Sequence, residues 1–130
     1  MKKIAVLSIL IVLVMSVLVY AASADKVKIA VASDGKTASS VVSGVAGRSA
    51  YYLIFDSKGK LLEAIENPHK NDSSGAGPLV VNFLGGKGIT VVVAGKFGDK
   101  MIGAMKGAGM AYVEFTGTAD DGVKEYLKRK

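Results

Sequence analysis

The chain has no cysteine. No disulfide supports its fold, no N-terminal thiol can be acylated into a lipoprotein anchor, and any metal or metal–sulfur cluster has to be held without thiolates. Histidine occurs once, as His69. A closed mononuclear metal site takes about four ligands from histidine, cysteine and carboxylates, which one imidazole cannot supply. Aromatics make up 7% of residues and the basic side chains are dispersed. No basic patch interleaved with stacking aromatics results, which argues against a nucleic-acid partner. No Ser–His–Asp set or paired cysteine and histidine is present. Asp34 and Asp56 end strand-like runs without an obvious third carboxylate, whereas two-metal hydrolysis needs several to hold ions ~4 Å apart. The chain reads as non-enzymatic.

What is present begins with a leader. Met1-Lys2-Lys3 is basic, Ile4 to Ala22 is almost uninterruptedly apolar, and Ala22-Ser23-Ala24 has the small-residue pattern of a cleavage site. This is the architecture of a secretory signal peptide. Residues 1–24 are therefore expected to be removed after Ala24, leaving a periplasmic or otherwise exported protein with no membrane attachment. The alternative is an uncleaved membrane anchor, since about 20 apolar residues span a bilayer. Cleavage removes Lys2 and Lys3, so 17 basic residues become 15 against 11 acidic ones and the net charge falls from +6 to +4. Residues 25–130 suffice for one core and are expected to form a single domain.

The patterning of that domain alternates strands and helices. Strands are expected at 27–32, 51–56, 61–66, 89–94 and 110–114, from β-branched, aromatic or alternating runs. Helices are expected at 78–84, 99–108 and 119–127. The first carries Pro78 in its opening turn, where proline is tolerated. It should stop at Gly85-Gly86-Lys87-Gly88 through left-handed caps. The third begins at Thr118, with Asp121 three residues on, as in a helix start with acidic residues in its first turn. The order β-β-β-α-β-α-β-α describes an α/β sheet covered by helices. There is no internal repeat.

Candidate binding residues concentrate in the long connection from residue 33 to residue 50. Ser43-Gly44-Val45-Ala46-Gly47-Arg48 holds two glycines and the only arginine in the body of the mature chain. Gly44 and Gly47 would let backbone N–H groups form an anion nest, and Arg48 brings a planar, permanently charged fork. Equally, Arg48 could only pair with Asp34 or Asp56 to fix the loop. His69 in Glu66-Asn67-Pro68-His69-Lys70 is either a solvated loop residue or a metal ligand through its neutral imidazole, with Lys70 adding positive charge. Gly95-Lys96-Phe97-Gly98 opens a helix, whose N-terminus favours negative charge. It lacks the spacing of a phosphate-binding P-loop. Met101, Met105 and Met110 are soft but read as core filling.

The segments KIAVASDGK (28–36), ENP (66–68), GAG (75–77) and GTADDGVKEYL (117–127), with Gly47-Arg48 between them, together resemble the dinitrogenase iron–molybdenum cofactor biosynthesis family. The resemblance spans residues 28–127. It implies a ribonuclease H-like three-layer α/β fold: a five-stranded mixed sheet of order 3-2-1-4-5, strand two alone antiparallel, with three helices. Loops 33–50, 67–77, 95–98 and 115–118 should then gather at one sheet edge. It also implies that an anionic metal–sulfur cluster is bound noncovalently, either of a molybdenum–copper sulfide type known from an exported-type member or as an iron–molybdenum precursor. Arg48, Lys70 and Lys96 would balance its charge, glycine N–H groups would donate to sulfide, and Val45, Ala46 and Phe97 would exclude water. A protein partner would receive the cluster. Family members usually place His-Phe before Gly-Arg, where this chain has Val45-Ala46. That departure removes the loop imidazole and leaves electrostatic and apolar cradling, or a cluster-free interaction or sensor module on the same fold.

Overall fold

The computed structural model describes residues 27–129; the leader and its cleavage site lie outside them. β1 (Ile29–Ser33), β2 (Tyr51–Phe55), β3 (Leu61–Glu66), β4 (Val91–Ala94) and β5 (Ala111–Glu114) form one sheet of order β3-β2-β1-β4-β5. β1 pairs antiparallel with β2 and parallel with β4; β2 pairs antiparallel with β3, and β4 parallel with β5. This is the α/β fold and strand order that the resemblance implied. The helices are α1 (Ala76–Gly85), α2 (Asp99–Gly107) and α3 (Ala119–Lys128).

Side-chain alternation along the strands builds two cores. Ala30, Ala32, Tyr52, Ile54, Val92 and Ala94 face α1 and α2, where Val80, Leu84, Met101 and Met105 cover them. Ile29, Val31, Leu53, Phe55, Val91, Val93 and Val113 face α3, where Ala119 and Val123 close the layer. Every residue of β1 and β4 is buried, as expected of strands covered on both faces. Met101, Met105 and Met110 fill the first core, as their spacing indicated.

Element ends shift where chain connections override local pattern. β1 starts two residues later than expected and ends one later, and β4 starts at Val91, because Thr90 instead exchanges hydrogen bonds with Lys28. α1 begins at Ala76 rather than Pro78, since Leu79 N–H already bonds Gly75 O. Its end is corrected too: Gly86 is right-handed at φ −63, and the left-handed turn comes at Gly88, φ +80. α3 starts as expected, with Thr118 Oγ1 accepting from Asp121 N–H at 3.3 Å. Among the described residues no helix is long and apolar enough to cross a membrane.

Candidate functional site

Parallel pairing of β1 with β4 and of β4 with β5, and antiparallel pairing of β2 with β1 and β3, place four loops at one edge. The contacts are direct. Gly95 N–H bonds Ser43 O (2.8 Å), Ala46 N–H bonds Lys96 O (3.0 Å), and Val42 N–H bonds Gly117 O (2.9 Å). The long connection is thus no free loop: Val42 bridges Ser33, Val41 bridges Thr118, and Ala46–Arg48 make one 3₁₀ turn. A buried polar network fixes that turn. Tyr52 Oη donates to Ala46 O, and Asn67 Nδ2 donates to Gly47 O and Ser49 O, both at 3.0 Å. Burial pushes the Tyr52 phenol up to about 12.

Beside the turn lies a groove of 210 Å³, with the starts of α1 and α2 along its walls. Val45, Gly47 and Arg48 form one side, Gly75–Pro78 a second, and Gly98, Lys100 and Met101 a third. Both helices enter it with glycine N-caps, Gly75 and Gly98, and neither has a side-chain cap. α3, away from the groove, is capped by Thr118. Gly75 needs its left-handed φ of +72, but Gly98 sits at φ −73, ψ 153, and a Cβ there would meet nothing within 4 Å. Neither backbone strain nor packing requires glycine at 98. Its bareness keeps the amide end of α2 open to the groove. The helix starts, Arg48 and Lys100 favour an anion in the groove, opposed by Asp99 in the first turn of α2.

Gly44 and Gly47 serve differently from the expected nest, since neither has a positive φ. Gly47 and Gly95 permit close approach, whereas a Cβ on Gly44 would meet nothing within 4 Å. A Cβ on Gly47 would stand 3.2 Å from Gly77 Cα, and a Cβ on Gly95 would stand 2.9 Å from Gly44 Cα. Arg48 pairs with neither Asp34 nor Asp56: its Nη1 donates to Lys70 O (3.4 Å) and Asp72 O. Asp34 and Asp56 follow the paired ends Ser33 and Phe55, which lie on opposite sheet edges.

The sequence candidates therefore divide. Val45, Gly47, Arg48 and Gly98 line the groove. Ala46 and Phe97 are buried in the α1–α2 core and are not among the groove's lining residues. Ser43, Gly44 and Gly95 make the loop-to-loop seam. Lys96 is exposed and contributes its carbonyl to that seam. Lys70 lines a neighbouring polar pocket with Tyr51, Glu66 and Asn67. His69 lies outside the groove lining; its Nδ1 meets Asp72 Oδ2 at 2.9 Å and its ring sits edge-on to Phe83. No group of three or more His, Cys, Asp or Glu residues able to hold a metal occurs among the described residues. Patterning did not single out Gly75–Pro78 or Lys100 as site residues, because only the tertiary fold brings them to Arg48. The one signal was the GAG segment.

An α/β sheet with an anion-favouring groove at the carboxyl ends of its parallel strands defines a small binding or carrier domain. The chain belongs to the dinitrogenase iron-molybdenum cofactor family, whose model matches residues 26–129. It is similar to the apo form of the orange protein from Desulfovibrio gigas, with 26% identity and a TM-score of 0.74 over 78% of this chain and 88% of that one. It is also similar to a putative NifB protein from Thermotoga, described as a DUF35 family member, with 32% identity and a TM-score of 0.68 over the same shares. No curated protein matches the chain.

Proposed function

We propose that the protein is an exported, non-enzymatic carrier that holds an anionic metal–sulfur cluster noncovalently in the groove between Arg48, Gly75–Pro78 and Gly98–Met101. One observation carries this: two helix starts without side-chain caps converge with Arg48 and Lys100 on a bare, glycine-lined groove. Family membership supplies the class of cargo. The donor set suits a preassembled sulfide-bridged anion, because the lining offers N–H groups and cations but no carboxylate, imidazole or thiolate. The cluster brings its own bridging sulfides; this chain supplies charge, hydrogen bonds and apolar walls. A molybdenum–copper sulfide suits an exported chain better than an iron–molybdenum precursor does, and a partner protein would receive it. His69 as a metal ligand is the weaker part, with one ring nitrogen already engaged by Asp72.

Anaerobic titration with tetrathiomolybdate plus copper(I), followed by desalting and metal counting, tests this. Retained stoichiometric molybdenum and copper with new charge-transfer bands are expected. Loss of all metal would favour the second reading, a cluster-free interaction or sensor module. What supports that reading is Val45-Ala46 in place of the family's usual His-Phe, together with the absence of cysteine.

A further inference from the structure

The segment from Pro68 to Ser74, between β3 and α1, is a polar strap with few ties to the body. Its own turn is held by Asn67 and by the His69–Asp72 pair. His69 N–H bonds Asn67 Oδ1 (2.9 Å), Lys70 N–H bonds Asn67 O (3.4 Å), and Asp72 N–H bonds His69 O (3.2 Å). Among the described residues, the strap's hydrogen bonds and ring contacts to other elements are the His69 ring against Phe83 of α1 and Arg48 Nη1 on the carbonyls of Lys70 and Asp72.

Arg48 thus has two working edges. Guanidinium carries five N–H donors in a rigid plane. Nη1 donates to the two strap carbonyls, while among the described residues no hydrogen bond engages Nη2 or Nε. Arg48 also lines the groove. The unspent edge is the one available to a bidentate anion.

We propose that the 68–74 strap is a clamp that pre-positions Arg48 for the anion, and that anion binding in turn orders the strap through the same guanidinium. Resting on the groove's being an anion site, this adds to that reading a named coupling between two segments. An arginine tethered at one edge has lost much of its side-chain freedom before the ligand arrives, so less is lost on binding. By linkage, whatever the strap adds to anion affinity, the anion adds to strap order. Asp72 and His69 are positioning residues here; neither needs to touch the ligand.

The sign of one substitution separates this account from plain electrostatics. Asp72→Ala removes a negative charge close to the groove, so charge alone would tighten binding of an anion. With the clamp, it breaks the His69–Asp72 pair, loosens the strap and weakens tetrathiomolybdate binding by roughly fivefold, the low end of site-to-site coupling. The effect should vanish in an Arg48→Ala background. Amide hydrogen exchange at His69, Lys70 and Asp72 gives the reciprocal readout: slower on saturation with tetrathiomolybdate in the wild-type protein, unchanged by it in Arg48→Ala. Tighter or equal binding by Asp72→Ala, or exchange at those amides unaffected by bound tetrathiomolybdate, overturns the clamp while leaving the anion site standing. Failure of tetrathiomolybdate to bind the wild-type protein at all overturns both.

Discussion

Arg48 and Tyr52 lie four residues apart and act on the same turn in opposite ways. Arg48 is exposed and reaches outward to strap and groove; Tyr52 is buried and holds Ala46 O from beneath. Replacing Arg48 with alanine should weaken tetrathiomolybdate binding about tenfold, the scale of one charge-assisted hydrogen bond of about 1.5 kcal/mol. Thermal unfolding should change little, since the side chain is exposed. Tyr52 makes a pH statement instead. Burial raises its folded pKa to about 12, above the ~10 of an unfolded tyrosine. Below pH 10 both states keep the proton and the contribution is constant. Between 10 and 12 the unfolded chain ionises first, so stability falls as pH rises, by about 1.4 kcal/mol per unit from this group. Urea unfolding of Tyr52→Phe across that range should show a shallower decline than wild type; parallel declines would remove Tyr52 from the account. At this scale the sequence was half legible. Arg48 stood out by its rarity, but its partners are backbone carbonyls of residues 70 and 72, which no side-chain pattern marks. The role of Asn67 was equally hidden, because an amide that caps two carbonyls of a distant turn looks from sequence like any loop asparagine.

Among the elements, strands were the most legible: continuous β-branched runs such as Val91–Ala94 leave little else for the chain to do. Their ends were less so, because Lys28–Thr90 pairing outside the ladder decides where β1 and β4 begin. Helix starts differ in how they are capped. Thr118 caps α3, as its side chain and position promised, whereas α1 and α2 begin on glycine. Patterning read Gly98 as either a turn or an anion contact. The open space around its missing Cβ, with a backbone any residue can adopt, shows that the turn does not require glycine there. A trade-off follows. Gly98→Asp supplies a side-chain cap and a favourable charge at the start of α2. It should raise stability by a few tenths of a kcal/mol while weakening tetrathiomolybdate binding by at least about tenfold, through repulsion and competition for the same N–H groups. Paired chemical denaturation and binding isotherms check both halves. A variant that gains stability and binds as well as wild type would show that the α2 start does not meet the ligand.

At the scale of the whole molecule, the 3-2-1-4-5 order does the assembling. It turns residues 48, 77 and 100, each in a separate segment of the chain, into neighbours at one sheet edge, and leaves α3 and the Asp56 turn away from them. That gathering of loops was legible once the family pattern supplied the strand order; which loop residues would meet was not, because Gly44 with Gly95 and Gly47 with Gly77 come together only through backbone packing. The most direct test is therefore spatial. Amide chemical-shift mapping of the protein titrated anaerobically with tetrathiomolybdate, then with copper(I), asks which part of the molecule responds. Saturating shifts confined to residues 45–48, 75–79 and 98–101, with the strap following and α3 silent, are the expected result. Shifts centred on α3 or spread evenly over the lysines, with residues 75–79 and 98–101 unmoved, would contradict the groove as the site of binding.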